Sequence, residues 1–379
     1  SPRIGIPKVV GYLLLGLVIG PEVLGVVPES FIEGSHFAID MALSLIAVLV
    51  GANLKLSRLK GLGTQIISLT VCEGISAFVA VSSGFYLLAY FLGLPAEYHV
   101  VIAILFGGLS SATAPAATIA IAHEMKAKGT FTSTLLAVVA LDDALALILF
   151  AFAMVLGSVF MQGSGITLFT LFQTMGMIML SVLAGVIGAI VSDLIDKLFA
   201  HHKGMETIST LGMVFIVYSI SIYWEIEALL AVLVMGAVMS NVATDFDLIE
   251  EEIDNHLEEI IFMLFFILSA MHLDLNALTT MPFVIAAYVL FRLIGKVGGV
   301  YLGARLSGAE KNIRHFLGLG LIPQAGVAIG LALSLQDEAG FEVVAPFILN
   351  AVIATTVIHE FVGPLLTRYI LKKSGETNA

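Results

Sequence analysis

The chain has 379 residues, of which 59% are hydrophobic and 12% are charged, and its mean hydropathy is +1.04. Soluble globular proteins carry about 25% charged residues, so this composition is typical of an integral membrane protein and excludes most soluble enzyme folds as well as intrinsic disorder. The single cysteine, Cys72, excludes a disulfide framework and a cysteine-based metal site. The first residue is serine rather than methionine, and we expect that a natural N-terminal segment precedes it.

Twelve apolar stretches are each about long enough to span the hydrocarbon core of a bilayer, which takes about 20 residues. We place these spans at residues 8–27, 37–54, 65–94, 99–122, 131–160, 166–192, 206–223, 226–243, 257–273, 279–304, 314–335 and 344–371. The short connections leave no room for a soluble domain, so the sequence predicts one all-α polytopic unit over residues 1–379. The acidic segment 244–258 is predicted to be a solvated linker.

Lysine and arginine predict the topology of these spans, because both residues accumulate in cytoplasmic connections. All but two of the 17 bases lie in alternate connections, at the outer edges of the first and last spans or beyond them, or at a span end beside such a connection, and so fall on one face. The connections of the other face carry glutamate and aspartate but no base. We therefore expect a multi-pass protein of the cell inner (plasma) membrane with both ends in the cytoplasm.

A pair of carboxylates, Asp142 and Asp143, lies in the apolar stretch AVVALDDALALILF of the fifth span. Adjacent helical residues point about 100° apart, so both side chains can face one cavity and serve different partners. Carboxylate oxygens suit a hard cation such as Na⁺, and a carboxylate in a low dielectric also takes up a proton readily. This chemistry fits the exchange of protons for a monovalent cation. The alternative is a capping pair at the end of a span.

Further ionisable residues lie inside predicted spans, where a charge costs at least about 2.5–3.5 kcal/mol at mid-bilayer. Arg292 and Lys296 share one helix face, and we expect Lys296 to pair with the span-five carboxylates until a cation binds. Arg292 is predicted to compensate charge at that site, and the alternative for both bases is to snorkel near the cytoplasmic end of the span. Glu73 is predicted to be a second proton site, a partner of Arg292 or a buried acid satisfied by its neighbours. Glu360 and His359 fall in the last span.

Two spans are interrupted by proline and small residues. Span four reads AILFGGLSSATAPAATIAI, which includes Pro115, and span eleven reads GLGLIPQAGVAIGLAL, which includes Pro323 and Gly326. Proline removes a helical hydrogen bond and disfavours helix at the preceding residue, so we expect both helices to break in mid-bilayer. Two such spans in corresponding halves of a chain indicate the central site of an inverted-repeat transporter.

Several of these segments resemble motifs of the monovalent cation/proton antiporters, specifically the bacterial sodium/proton antiporter-like branch. The resembling segments are GYLLLGLVIGPEVLG (11–25), SSATAPAAT (110–118), ALDDALALI (140–148), GKVGGVYLGARL (295–306) and LIPQAGVAIGLAL (321–333). The resemblance covers essentially the whole chain, and the aspartate pair is typical of the electrogenic members. The chain departs from the family at residues 112–115, Ala-Thr-Ala-Pro, where many sodium relatives have an acid or another polar residue. It also has twelve spans where the family often has thirteen.

The resemblance implies roles for individual residues. Asp143 would carry the cation and the proton, Asp142 would pair with Lys296, and Thr113 and Ser111 of the broken span would add ligands. It also implies a core domain (about 65–160 and 279–371) that moves against a dimerisation domain (about 1–54 and 166–243) in an elevator-like motion. The implied assembly is a homodimer. The implied substrates are Na⁺ or Li⁺ and H⁺, with no cofactor and no nucleic-acid partner.

Three other functions share parts of this pattern. K⁺/H⁺ exchange would use the same scaffold. A channel would need a continuous pore with a filter-like loop, which the sequence does not show. A sodium-coupled symporter for an organic anion would need extra polar or aromatic groups near the broken helices, where the sequence has little beyond serine, threonine and Gln324. Secondary Na⁺/H⁺ antiport is therefore the predicted function.

Overall fold

The computed structural model describes residues 8–28, 31, 34–52, 54–114, 118–119, 121–122, 125–161, 168–199, 205–243, 246, 249, 258–271, 281–324, 326–336, 338 and 340–377. Its elements are α1 (Lys8–Ile19), α2 (His36–Ala52), α3 (Leu56–Phe91), α4 (Ala96–Ser110), α5 (Thr130–Met161), α6 (Leu168–Phe199), α7 (Met205–Tyr223), α8 (Ala228–Val242), α9 (Glu258–Met271), α10 (Pro282–Leu306), α11 (Lys311–Phe316), a 3-10 turn (Leu317–Leu321), α12 (Gly326–Ser334) and α13 (Ala345–Ser374). The described residues form helices and no strand, which confirms the all-α prediction for this part of the chain.

Among the described residues, five helical segments are long and apolar enough to cross a membrane. They are Gly63–Phe91, Thr130–Met161, Met175–Leu198, Pro282–Leu306 and Ala345–Ser374. Four shorter apolar helices accompany them, at Phe37–Ala52, Ala96–Ser110, Thr207–Tyr223 and Ala228–Val242. Each of the twelve predicted spans contains at least one helix, whereas the count of twelve crossings stays a prediction. Most of the acidic segment 244–258 lies outside the described residues.

A row of glycines on α10 brings that helix against α3. Gly295, Gly299 and Gly303 recur every four residues and therefore share one face. A Cβ atom on Gly299 would lie 2.5 Å from the Cα atom of Glu73, and one on Gly295 would lie 2.5 Å from the Cα atom of Ala77. Small residues permit this backbone-to-backbone approach between membrane helices. The row therefore sets how close the side chains of α10 come to those of α3.

The break in span four begins before its proline. α4 ends at Ser110, and residues 111–114 are not helical. Pro115, to which the sequence assigns the break, lies outside the described residues. The next described helical residues, 118 and 119, contribute a hydroxyl at Thr118 that donates to the Gly320 carbonyl at 3.2 Å. The chain on both sides of this break thus contacts span eleven.

Span eleven is interrupted at the predicted place, between the 3-10 turn and α12. The residues from Ile322 to Gln324 carry no helical assignment, and α12 begins at Gly326. The two breaks lie side by side, because the Ala114 N–H donates to the Pro323 carbonyl at 2.9 Å. The interruption of both helices is therefore observed. The inverted-repeat relation between them, and the division into core and dimerisation domains, stay predictions.

The chain after α13 folds back onto the first turn of α5. Gly375 takes a left-handed φ of 77°, which a residue without a Cβ atom adopts at little cost, and so ends α13. The Glu376 carboxylate then accepts hydrogen bonds from the N–H groups of Phe131 and Thr132, each at 2.8 Å, and from the Thr132 hydroxyl at 2.8 Å. The Lys128 N–H donates to the Glu376 carbonyl at 3.0 Å. The helix of the aspartate pair is thus capped from the far end of the described chain.

Gly299→Ala tests the close approach of α10 to α3. The added methyl group would meet backbone atoms of Glu73 and Cys72, which cannot rotate away, so we expect a loss of stability of about 1–3 kcal/mol. Thermal unfolding of the purified protein in detergent, followed by intrinsic fluorescence, measures the change. Gly298→Ala is the matched control, because a Cβ atom there would meet no atom within 4 Å. Equal melting temperatures for the two variants would contradict the proposed packing.

Candidate functional site

The Lys296 ammonium lies at the centre of a fully buried cluster of charges. Its Nζ atom is 2.6 Å from Asp142 Oδ2 and 2.9 Å from Glu73 Oε2, and all three side chains are 0% exposed. It also donates to Thr113 Oγ1 at 2.9 Å and to the carbonyl of Ser111. These contacts join α3, α5, α10 and the break after α4 at one cation. We call Glu73, Asp142, Asp143 and Lys296 the acid–lysine cluster.

Asp143 is the most accessible acid of the acid–lysine cluster. Its side chain is 7% exposed, whereas Glu73 and Asp142 are 0% exposed, and its Oδ1 atom has no hydrogen-bond partner among the described residues. The backbone of Thr113 interacts with its carboxylate. Asp142 also has one oxygen, Oδ1, without such a partner. The adjacent carboxylates therefore differ: Asp142 is bound to the lysine, and Asp143 offers an oxygen beside the break.

The Arg292 guanidinium binds backbone carbonyls from both breaks. Its Nε atom donates to Ser110 O at 2.9 Å and its Nη2 atom to Ala112 O at 2.6 Å. Its Nη1 atom donates to Ile322 O at 2.6 Å, and Nη2 also approaches Leu321 O at 3.3 Å. A broken helix leaves carbonyls without helical partners, and a planar guanidinium can satisfy several of them at once. The side chain is 0% exposed, so the alternative of snorkelling is wrong.

The structure brings most of the predicted site residues together and gives Glu73 a different partner from the one suggested. The suggested pairing of Glu73 with Arg292 is wrong, because Glu73 faces Lys296. Ser111, predicted as a cation ligand, uses its hydroxyl to donate to the Gly108 carbonyl at 3.2 Å and its carbonyl to hold Lys296. The Thr113 hydroxyl accepts from Lys296 Nζ at 2.9 Å and donates to the Leu321 carbonyl at 3.2 Å. That Thr113 and Ser111 bind the cation stays a prediction.

Gln324 is a positioning residue that the sequence analysis assigned no role. Its Nε2 atom donates to the Leu109 carbonyl at 2.8 Å and to Tyr288 Oη at 3.0 Å, so it ties the second break to α4 and α10. The feature of the sequence that could have indicated this role is the position of Gln324 directly after Pro323, where a side-chain amide can replace missing helical hydrogen bonds. Together with Arg292, Gln324 holds the two interrupted segments in one arrangement.

Arg292→Lys tests whether the planar fork of donors is required. A lysine has the same charge but one nitrogen, so at least one buried carbonyl loses its partner, at a cost of about 1–3 kcal/mol. We expect a lower melting temperature in detergent. Arg305→Lys, on the same helix at an exposed position, is the control and is expected to unfold like the unmodified protein. Full stability of the Arg292→Lys protein would show that charge alone suffices.

Comparison with known proteins identifies the wider group to which this site belongs. A family model described as "Sodium/hydrogen exchanger, transmembrane" matches residues 1–373. A Na⁺/H⁺ antiporter of Enterococcus hirae is 24% identical over 98% of this chain and 94% of its own length. The Na⁺/H⁺-K⁺ antiporter GerN of Bacillus cereus is 23% identical over 97% of this chain and 91% of its own length.

A solved structure has the same fold. The sodium proton antiporter MjNhaP1 of Methanocaldococcus jannaschii at pH 8 superposes with a TM-score of 0.75 at 20% identity, over 98% of this chain and 93% of its own. The members of the matched family are membrane transporters rather than enzymes, and they use no cofactor, because their substrates are the transported ions. This chain belongs to the sodium/hydrogen exchanger family and is an integral membrane cation/proton antiporter.

Proposed function

We propose that the protein exports cytoplasmic Na⁺ or Li⁺ in exchange for protons and that Asp143 carries both ions in turn. The observation that carries this proposal is the unpartnered oxygen of Asp143 beside an Asp142 that is held by Lys296. A carboxylate oxygen can bind a hard monovalent cation or a proton but not both together. This exclusion couples the two fluxes, because each ion must leave before the other is carried back.

The charges of the site support this competition. When ionised, Glu73, Asp142 and Asp143 carry three negative charges, and Lys296 with Arg292 on the same helix carries two positive charges, so the site has one negative charge in excess. A single proton or a single Na⁺ neutralises that excess. Burial makes an unbalanced charge costly, so the site favours occupancy by one of the two ions. A divalent cation would leave the site positively charged, which disfavours it.

Lys296 acts as an internal substitute for the transported cation at Asp142. When Na⁺ binds between the two aspartates, Asp142 releases the ammonium and turns an oxygen to the ion. Glu73, 2.9 Å from the same ammonium, then retains the lysine, so no buried charge is left alone. The cost of releasing Lys296 is thereby reduced, and cation binding stays reversible.

The fixed contact between the breaks supports an elevator-type motion. Arg292 and Gln324 tie α4, α10 and both interrupted segments together, so these parts move as one body. We assign that body to the core, about 65–160 and 279–371, and the scaffold to about 1–54 and 166–243. The scaffold helix α6 exposes an apolar face, including Met179, Leu183 and Ile187, toward lipid or a second subunit of a homodimer. Both chain ends face the cytoplasm of a cell that uses the exchange for pH homeostasis at its plasma membrane.

K⁺/H⁺ exchange on the same site is the second candidate. The name of one relative, GerN, includes K⁺ as well as Na⁺. The break at residues 112–114 offers the Thr113 hydroxyl but no further acid, so few fixed groups here enforce a small ion. Size selection would then come from the two aspartates and the backbone around them.

Asp143→Asn tests the carrier role. Purified protein in proteoliposomes is exposed to Na⁺, Li⁺ or K⁺ while a pH-sensitive dye reports proton movement and a second dye reports membrane potential. We expect the wild-type protein to respond most strongly to Na⁺ and Li⁺ and the Asp143→Asn protein to show only background. Asp193→Asn is the control, since in the described part of the chain Asp193 pairs with the exposed Lys197 of the same helix at 2.6 Å. Retained pH-dependent exchange by Asp143→Asn would exclude Asp143 as the carrier.

Lys296→Gln tests the internal substitution. Without the ammonium, Na⁺ no longer competes with a base for Asp142, but the excess negative charge of the site rises by one. We therefore expect tighter apparent Na⁺ binding and a changed potential signal in the same vesicles. Lys311→Gln, on the exposed start of α11, is the control. Unchanged apparent affinity together with an unchanged potential would refute the role of Lys296.

A further inference from the structure

Helix α13 carries a second group of buried polar atoms, which the acid–lysine cluster does not use. Five buried side-chain atoms on this helix have no hydrogen-bond partner in the described part of the chain: Thr356 Oγ1, His359 Nδ1, both carboxylate oxygens of Glu360, and Thr367 Oγ1. Buried polar groups are normally paired, because an unpaired one costs free energy. A concentration of them on one helix therefore calls for a functional explanation.

Glu360 is the central member of this group and lies on the face of α13 that meets the second break. Its side chain is 1% exposed. Thr356 lies four residues before it and Gly363 three residues after it, so the three share one helix face. A Cβ atom on Gly363 would lie 2.5 Å from Pro323 Cγ, which shows that this face packs directly against the irregular backbone.

No base balances Glu360 among the described residues. The elements packed most extensively against α13 are α12, the 3-10 turn, α10 and α4. α12 and the 3-10 turn contain no titratable residue. The titratable residues of α4, which are Glu97, Tyr98 and His99, lie in its first turn, far from the break.

The titratable residues of α10 are committed elsewhere. Arg305 is exposed, and the Tyr301 ring centroid lies 5.7 Å from that of His315. Arg292 donates to four carbonyls, and Lys296 is held by Asp142 and Glu73. Tyr288 accepts from Gln324, and its ring centroid is 6.3 Å from that of His359, the neighbour of Glu360 on α13. A carboxylate in this position has no cation to stabilise its charge and therefore takes up a proton.

We propose that Glu360 is a second proton-binding site of the protein, separate from Asp143. In the arrangement described here it holds a proton. The proton passes to water when water enters between α13 and the second break during the motion of the core, and the Thr356 and Thr367 hydroxyls offer hydrogen-bonding groups to that water. Ionisable residues buried in membrane helices commonly serve as proton relays. The inference extends the proposed exchange function to another titrating group, and its spectroscopic test does not depend on that function.

Infrared difference spectroscopy between acidic and alkaline pH tests proton binding directly. Asp143→Asn serves as the background, because it removes the carboxyl of the proposed carrier. We expect this protein to show the C=O stretching band of a protonated carboxylic acid that disappears at alkaline pH, and we expect E360Q in the same background to lack that component. E342Q, at an exposed loop glutamate, is the control and retains it. Identical spectra with and without E360Q would overturn the proposal.

Should the E360Q protein fail to fold, E360D takes its place in the spectroscopic test. The aspartate keeps the acid but moves it by one methylene, so its band shifts in frequency or in the pH of its loss. A band identical to that of the parent would overturn the proposal in the same way.

Transport by E360Q with an intact Asp143 gives a second, independent readout. Glutamine resembles the neutral acid, so the variant should match the wild-type rate at acidic pH and depart from it by about twofold or more as the wild-type carboxyl ionises. E360D should keep the wild-type form of the profile. Profiles of E360Q and wild type that coincide at every pH would overturn the proposal, as would a folded E360Q without exchange at any pH. Absence of exchange in the wild type would instead refute the proposed function and leave the infrared result to decide on Glu360.

Discussion

The bonding of one guanidinium to the carbonyls of two broken helices is the constraint on which the rest of the site depends. A helix that stops in mid-bilayer exposes carbonyls that neither water nor lipid can satisfy. Arg292 satisfies carbonyls from both segments, and so the breaks can lie together without a large penalty. One turn further along α10, Lys296 takes the Ser111 carbonyl and reaches the acids. The architecture of the site is therefore built outward from α10.

In the proposed exchange the two bases of α10 have different roles, because Arg292 makes permanent contacts and Lys296 makes a contact that the transported cation replaces. Arginine stays charged in proteins and binds through a rigid fork, which suits a fixed bond to backbone. Lysine is a point charge whose partners can change, which suits an ammonium group that the transported cation has to displace. Glu73 adds to this division, because it gives the lysine a partner that the transported ion need not disturb. In this proposal the contact between Lys296 and Asp142 is replaceable, and the contacts of Arg292 keep the two broken helices in place.

The sequence predicted the features that follow from the scarcity of charged residues in the spans and from the effect of proline on a helical backbone. Because charges are rare in these spans, Lys296 and the aspartate pair had few possible partners, and their contact is present. The interruptions followed from proline and small residues, and their sites agree to within a few residues. The partner of Glu73 was not predictable, because helical periodicity gives the face of α3 but not its rotation relative to α10. That rotation depends on the glycines of α10, of which Gly299 lies against Glu73 itself.

The cap that Glu376 places on α5 has a practical consequence for handling the protein. A chain cut after Gly375 would keep every helix that the structure describes and yet lose the carboxylate that closes the first turn of the helix bearing Asp142 and Asp143. An affinity tag or fluorescent protein joined directly at this point would pull on the same turn. A reporter placed there would perturb the first turn of α5. A long flexible linker after residue 377 keeps the reporter mechanically separate from that turn.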